Sequence, residues 1–133
     1  MDFLTAVKTV FSNYVTVSGR AQRSQYWFWV LFSFLGGIVF GIVDRAVFHA
    51  GYDPATHVNT AGPIGMIFSV VTLLPSICVG VRRLHDLDKS GWWMLINLIP
   101  VAGWIVFLFW ACTKGTSGSN RFGPDPLSVP VVG

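Results

Sequence analysis

Residues 24–43, 54–81 and 90–113 of this chain contain no Asp, Glu, Lys or Arg. Inside those stretches lie three apolar runs: YWFWVLFSFLGGIVFGIV (26–43), GPIGMIFSVVTLLPSICVGV (62–81) and WWMLINLIPVAGWIVFLFWAC (92–112). Eighteen helical residues rise about 27 Å, close to the roughly 30 Å of bilayer hydrocarbon. A backbone in lipid must satisfy its own amides and carbonyls, so helices are the solution and open strands are excluded. Only 11% of residues are charged, where a soluble domain carries roughly a quarter. The expectation is an all-α integral membrane protein with three transmembrane helices, over about 26–46, 62–81 and 92–112. They form one helical membrane domain, 1–127. No credible strand is read.

Before the first run, Phe3, Leu4, Val7, Val10, Phe11 and Tyr14 recur at helical spacing, with Lys8 elsewhere on the wheel. This predicts a short amphipathic helix lying at the membrane interface. After the third run, TKGTSGSNRFGPDPLSVPVVG is too rich in Gly, Ser and Pro for another helix. A compact turn is expected around Asn120, Arg121, Phe122 and Gly123, and disorder over 128–133.

Orientation follows the basic residues. With the N-terminus and the 82–91 loop cytoplasmic, three spans put Lys8, Arg20, Arg23, Arg82, Arg83 and Lys89 inside, and Arg45, Lys114 and Arg121 outside. Pro100 and Asn97 in the third run leave a re-entrant hairpin as the alternative, which would return the tail inside. On the three-span arrangement Cys78 and Cys112 lie at opposite faces and cannot pair.

Ser33, Gly37 and Gly41 form a small-residue ridge on the first helix, and Ser76 and Gly80 a shorter one on the second. Such ridges mark helix packing, within the chain or with another copy. Pro75 removes an amide and frees the carbonyl near Val71, which Thr72 is placed to satisfy.

RRLHDLDKSGWW (82–93) is the densest polar segment. His85 beside Asp86 and Asp88 invites metal or acid–base readings, but the spacing is not that of a metal site, and no nucleophile elbow or second histidine accompanies it. Arg82 and Arg83 suit a helix C-terminus, and Asp88 suits a cap for the next helix. Neither metal nor cofactor is expected, and the sequence supports no catalytic assignment.

Three segments together, GRAQRSQYWFW (19–29), RRLHDLDKSGWW (82–93) and SGSNRFGPDP (117–126), resemble the small bacterial inner-membrane proteins grouped as domain of unknown function 805. The resemblance implies a short helical protein of the bacterial cytoplasmic membrane. It singles out Arg20, Arg23, Arg82, Arg83, His85, Asp86, Gly91, Trp92, Asn120, Arg121, Phe122 and Gly123 as motif positions. It brings no activity, substrate or cofactor. The leading expectation is a structural or interaction protein contacting anionic lipid headgroups, with a homo-oligomer or a membrane-protein partner as further contacts and no nucleic acid. The alternatives are an oligomeric transporter or channel using Asp44 and Asn97, and a membrane enzyme using His85 and Asp86.

Overall fold

The computed structural model describes residues 2–60 and 62–127, so the disorder expected over 128–133 lies outside the described residues. Helix α1 spans Phe3–Ser12 and α2 spans Arg23–Phe48. Strands β1 (Gly51–Asp53) and β2 (Val58–Thr60) form an antiparallel hairpin pairing Gly51 with Thr60 and Asp53 with Val58. Helix α3 covers Pro63–Asp86, followed by a 3₁₀ helix, Gly91–Leu98, and α4, Ala102–Cys112. The small hairpin corrects the strand-free reading. Its turn is held by Asp53, whose carboxylate accepts from the Ala55 amide (2.9 Å) and the Thr56 hydroxyl (3.0 Å).

Among the described residues two helices, α2 and α3, are long and apolar enough to cross a membrane. They extend about 39 and 36 Å, past both edges of a roughly 30 Å hydrocarbon layer. The three-span expectation is therefore corrected to two. The third apolar run folds as a hairpin of two short arms, about 16 Å of 3₁₀ helix and about 17 Å of α4.

Local chemistry explains the break. Pro100 pushes Ile99 into an extended conformation (φ −86°, ψ 108°). Val101 sits at φ 64°, ψ −65°, and the Ala102 amide bonds back to the Pro100 carbonyl at 2.7 Å, a strained γ-turn. Asn97 donates to the Met94 carbonyl, and Trp104 Nε1 to the Asn97 carbonyl at 3.0 Å. Gly103 lets the arms close, since a Cβ there would stand 1.7 Å from the Ile96 carbonyl oxygen. Trp93 and Trp110, at the mouths of the two arms, meet edge to face at 5.7 Å.

The packed interior gathers at one end of the α2–α3 pair. Val10, Ala21, Trp29 and Val79 form one cluster, and Leu84, Phe107 and Ala111 another. Helix α1 lies across the first turns of α2, with Phe11 edge-on to Trp29 at 5.2 Å. Trp29 in turn donates to Ser76 Oγ at 2.9 Å. Toward the β-hairpin end the pair is sparsely covered, and Phe34, Ile38, Ile42, Ile67 and Val70 are all exposed. That apolar surface belongs in lipid.

Pro75 lies within α3. The Val71 carbonyl it frees is taken by the Tyr14 hydroxyl. Thr72, the expected partner, bonds instead to the Phe68 carbonyl at 2.8 Å.

Candidate functional site, a buried ionic clasp

Helix α3 ends in a Schellman motif. The Lys89 amide bonds to the Leu84 carbonyl (2.9 Å), the Asp88 amide to the His85 carbonyl (3.0 Å), and Asp88 takes the left-handed conformation (φ 57°) usually given to glycine. Asp88 thus terminates α3, and Ser90 caps the following helix by accepting from the Trp92 amide, which corrects the expected role of Asp88. The stop fixes where the last turn of α3, Arg82 to Asp86, stands.

Around that turn the three sequence motifs close on one another. Asp86, 4% exposed, is held by two arginines. Arg20 reaches its Oδ1 through Nε (3.0 Å) and Nη2 (2.9 Å), and Arg83 Nη1 reaches Oδ2 (2.5 Å). Two cations against one carboxylate leave an excess positive charge, and main-chain carbonyls absorb it. Arg20 donates to those of Thr116 (2.5 Å) and Gly118 (2.7 Å). Arg83 donates to those of Ala21 (3.2 Å), Ala111 (3.3 Å) and Thr113.

The Ala111 to Thr113 carbonyls are the open C-terminus of α4, where the helix dipole favours cations. Arg23 adds a bond to the Cys112 carbonyl (3.2 Å), and Trp27 Nε1 one to Ala111 (3.1 Å). The returning arm of the hairpin is therefore anchored beside the start of α2. Cys112 lies at this end of the molecule and not at the face opposite Cys78, which corrects the earlier placement; both thiols are free.

The tail completes the enclosure. Its Thr116 amide bonds to the Asp86 carbonyl at 2.7 Å. Gly115 passes so close that a Cβ would meet the Asp86 carboxylate at 2.0 Å. Asn120 and Gly123 exchange both backbone hydrogen bonds and close a turn. Asn120 Nδ2 donates to the His85 carbonyl (2.9 Å), and Phe122 stacks on the His85 ring at 3.9 Å with planes 3° apart. His85 Nδ1 lies 2.9 Å from the Gly19 carbonyl, which can only accept, so Nδ1 carries a proton. Arg121 pairs with Asp88 at 3.2 Å on the exposed surface. Lys89 Nζ lies 4.8 Å from the centroid of the Trp110 ring.

Arg82 stands apart from this network. It is 4% exposed, yet its Nε and Nη2 have no hydrogen-bond partner among the described residues. The Gln25 amide nitrogen and Ser33 Oγ share that condition. Gly91 packs tightly against Val81 and His85, while Trp92 is exposed.

The small-residue positions divide. Gly80 lies against Met94, and Ser76 receives Trp29, whereas a Cβ on Gly37 or Gly41 would meet nothing within 4 Å. It is Gly36 that faces a neighbour, the Phe68 ring. Asp44, at the far end of α2, is buried and reaches across to α3. Its two carboxylate oxygens accept from the Ile64 (3.0 Å) and Gly65 (2.7 Å) amides. It serves as the N-cap that Gly62 cannot provide. Asn97 and Asp44, the polar candidates for a transport path, are thus both engaged in backbone capping.

Among the described residues no three His, Cys, Asp or Glu side chains converge on a metal-sized site. Tyr14, legible in the sequence only as part of the amphipathic stripe, belongs to this architecture, as do Gly115 and Thr116, which the sequence does not single out. Their contributions are a hydroxyl to a proline-freed carbonyl, a missing side chain and a main-chain group, none of which residue type advertises.

A family model described as "Protein of unknown function (DUF805)" matches residues 14–124. The chain is 40% identical over 121 residues to the inner membrane protein YhaH of Escherichia coli K12, covering 91% of this chain and 95% of that one. It is 38% identical over 118 residues to the inner membrane protein YhaI of the same organism, covering 89% and 92%. No solved structure gives a significant match.

Proposed function

This chain belongs to the DUF805 family of bacterial inner-membrane proteins, and we propose that it is a structural membrane module whose clasp end presents a basic surface to anionic lipid headgroups at the cytoplasmic face. The carrying observation is the division of labour among its cations. Arg20 and Arg83 are buried in the ion pairs with Asp86, while Lys8, Arg23, Lys114 and Arg121 are exposed. Of the arginines among the motif positions, Arg20, Arg82 and Arg83 are buried and leave the lipid-contacting set, Arg23 and Arg121 stay in it, and Lys114 joins it because the tail returns to the clasp.

That return also supports the orientation. Eight of the nine Lys and Arg residues belong to the clasp-end segments and Arg45 alone to the other end, a stronger bias than the three-span arrangement offered. His85 and Asp86 are committed to holding the clasp shut, so the reading is structural, not catalytic.

Basic residues near an anionic surface contribute about 1 kcal/mol each, so replacing Arg23, Lys114 and Arg121 together by Gln should weaken phosphatidylglycerol retention roughly a hundredfold. Native mass spectrometry of protein extracted from phosphatidylglycerol-containing vesicles reads this directly. Unchanged retention in a folded triple variant would remove the lipid-contact reading.

A further inference from the structure

The hairpin fills only half of the place a third transmembrane helix would occupy. Near the clasp it packs on one face of the α2–α3 pair, with Phe107 against Tyr26 (5.9 Å) and Met94 against Gly80. Gly37 is eleven residues from Tyr26, and Ser69 eleven from Gly80, about three helical turns in each case. Both therefore continue the same face beyond the hairpin tip. There the face is an open groove of about 590 Å³, with Gly37, Gly41, Gly62, Gly65, Met66 and Ser69 in its wall and Asp44 and Arg45 at its end.

We propose that this groove seats one phospholipid of the leaflet at the β-hairpin end, its acyl chain on the glycine wall and its phosphate on Arg45. Three observations carry this. The first is depth: Gly37 to Arg45 rises about 12 Å, close to the roughly 15 Å that is half of the hydrocarbon layer. The second is charge. Arg45 is exposed and makes no ion pair among the described residues, and the neighbouring Asp44 carboxylate is turned onto the α3 amides. The rim thus offers an unopposed guanidinium at headgroup depth, the group best suited to phosphate oxygens. The third concerns the rival occupant. A two-fold dimer on this ridge would be isologous and would bring Arg45 toward Arg45, with the nearest carboxylates already engaged.

The site is separate from the basic clasp surface, so either can fail without the other. The test uses the full chain in nanodiscs of phosphatidylethanolamine and phosphatidylglycerol doped with a phosphatidylglycerol carrying a mid-chain diazirine. After irradiation, labelled peptides are mapped by mass spectrometry. The label should concentrate on Met66, Ser69 and Val70 over Leu73 and Ile38, which are exposed outside the groove. Gly41→Leu, which fills the groove, should abolish that concentration. Arg45→Gln, on the surface and harmless to folding, should lower it about tenfold, the loss expected for one charge-assisted phosphate contact. Uniform labelling of all lipid-facing positions would overturn the proposal, as would insensitivity to Arg45→Gln. A Gly37→Cys variant that forms an intermolecular disulfide and excludes the label would overturn it in favour of a second copy.

Discussion

Asp86 shows how much one carboxylate can organise. It meets Arg20 from the segment before α2, Arg83 from its own helix, and the tail through its backbone carbonyl. Removing one member of a buried ionic set leaves the others desolvated and unpaired, so Asp86→Asn should cost about 3–5 kcal/mol. Arg82→Met is the contrasting case. Its guanidinium is buried without the ion pair that Arg83 enjoys, so replacement should leave stability unchanged or raise it by about 1–4 kcal/mol. Unfolding in mixed micelles, followed by tryptophan fluorescence, measures both. Equal losses for the two variants would contradict the assignment.

Asp125 supplies a pH test at the same scale. The amides of Leu127 (2.9 Å) and Gly118 (3.0 Å) hold its carboxylate below the ordinary value of 3.8, with Arg20 and Lys114 adding a smaller pull. A depressed carboxylate contributes stability that is present above its unfolded value and lost as pH falls through the folded one. The tail turn should therefore stay ordered down to about pH 4 and loosen only below it. The Gly118 and Leu127 amide resonances, followed through that range, would report it. Loosening near neutral pH would point to another group.

At the scale of elements, the hairpin is the part most dependent on a few backbone choices. Val101 holds a left-handed γ-turn that a β-branched residue adopts only under strain. Val101→Gly should stabilise the hairpin by about 1 kcal/mol, near the low end of the strain range. Gly103→Val places a side chain where the Ile96 carbonyl already stands and should separate the arms. The expected sign is a rise in unfolding midpoint for the first and a fall for the second. The end of α3 works differently, because its C-cap geometry is set by main-chain bonds to Leu84 and His85 and does not depend on the surface pair between Asp88 and Arg121. Such exposed pairs contribute about 0–1 kcal/mol. Arg121→Ala should therefore leave the midpoint nearly unchanged while Asp86→Asn does not.

For the whole molecule, two crossings and a hairpin place the first and last described residues, Asp2 and Leu127, at the clasp end, with the β-hairpin at the other. Reporter domains fused after residue 127 and inserted in the turn at residues 54–57 should fall on opposite sides of the membrane, the first in the cytoplasm. Both on one side would be incompatible with this architecture.

What the sequence determined by itself was the membrane class, the two long helices, the amphipathic first helix and the family. These rest on composition, apolar run length and motif order, and each is legible without knowing what touches what. Both ends of α2 and the C-terminal end of α3 lie a few residues outside the apolar runs because helical hydrogen bonding continues into polar flanks such as Arg23 and Asp86. The third run was misjudged as a span because it is as hydrophobic as the others. Hydropathy sums side chains and does not register a γ-turn at Val101 or a glycine that lets two arms touch. The tertiary structure alone decided that the tail returns to the loop, that Arg83 is a buried anchor while its neighbour Arg82 makes no ion pair among the described residues, and that Tyr14 answers Pro75. Those outcomes depend on main-chain carbonyls, which every residue carries and no sequence pattern marks, and on which of them the fold brings within reach of a donor.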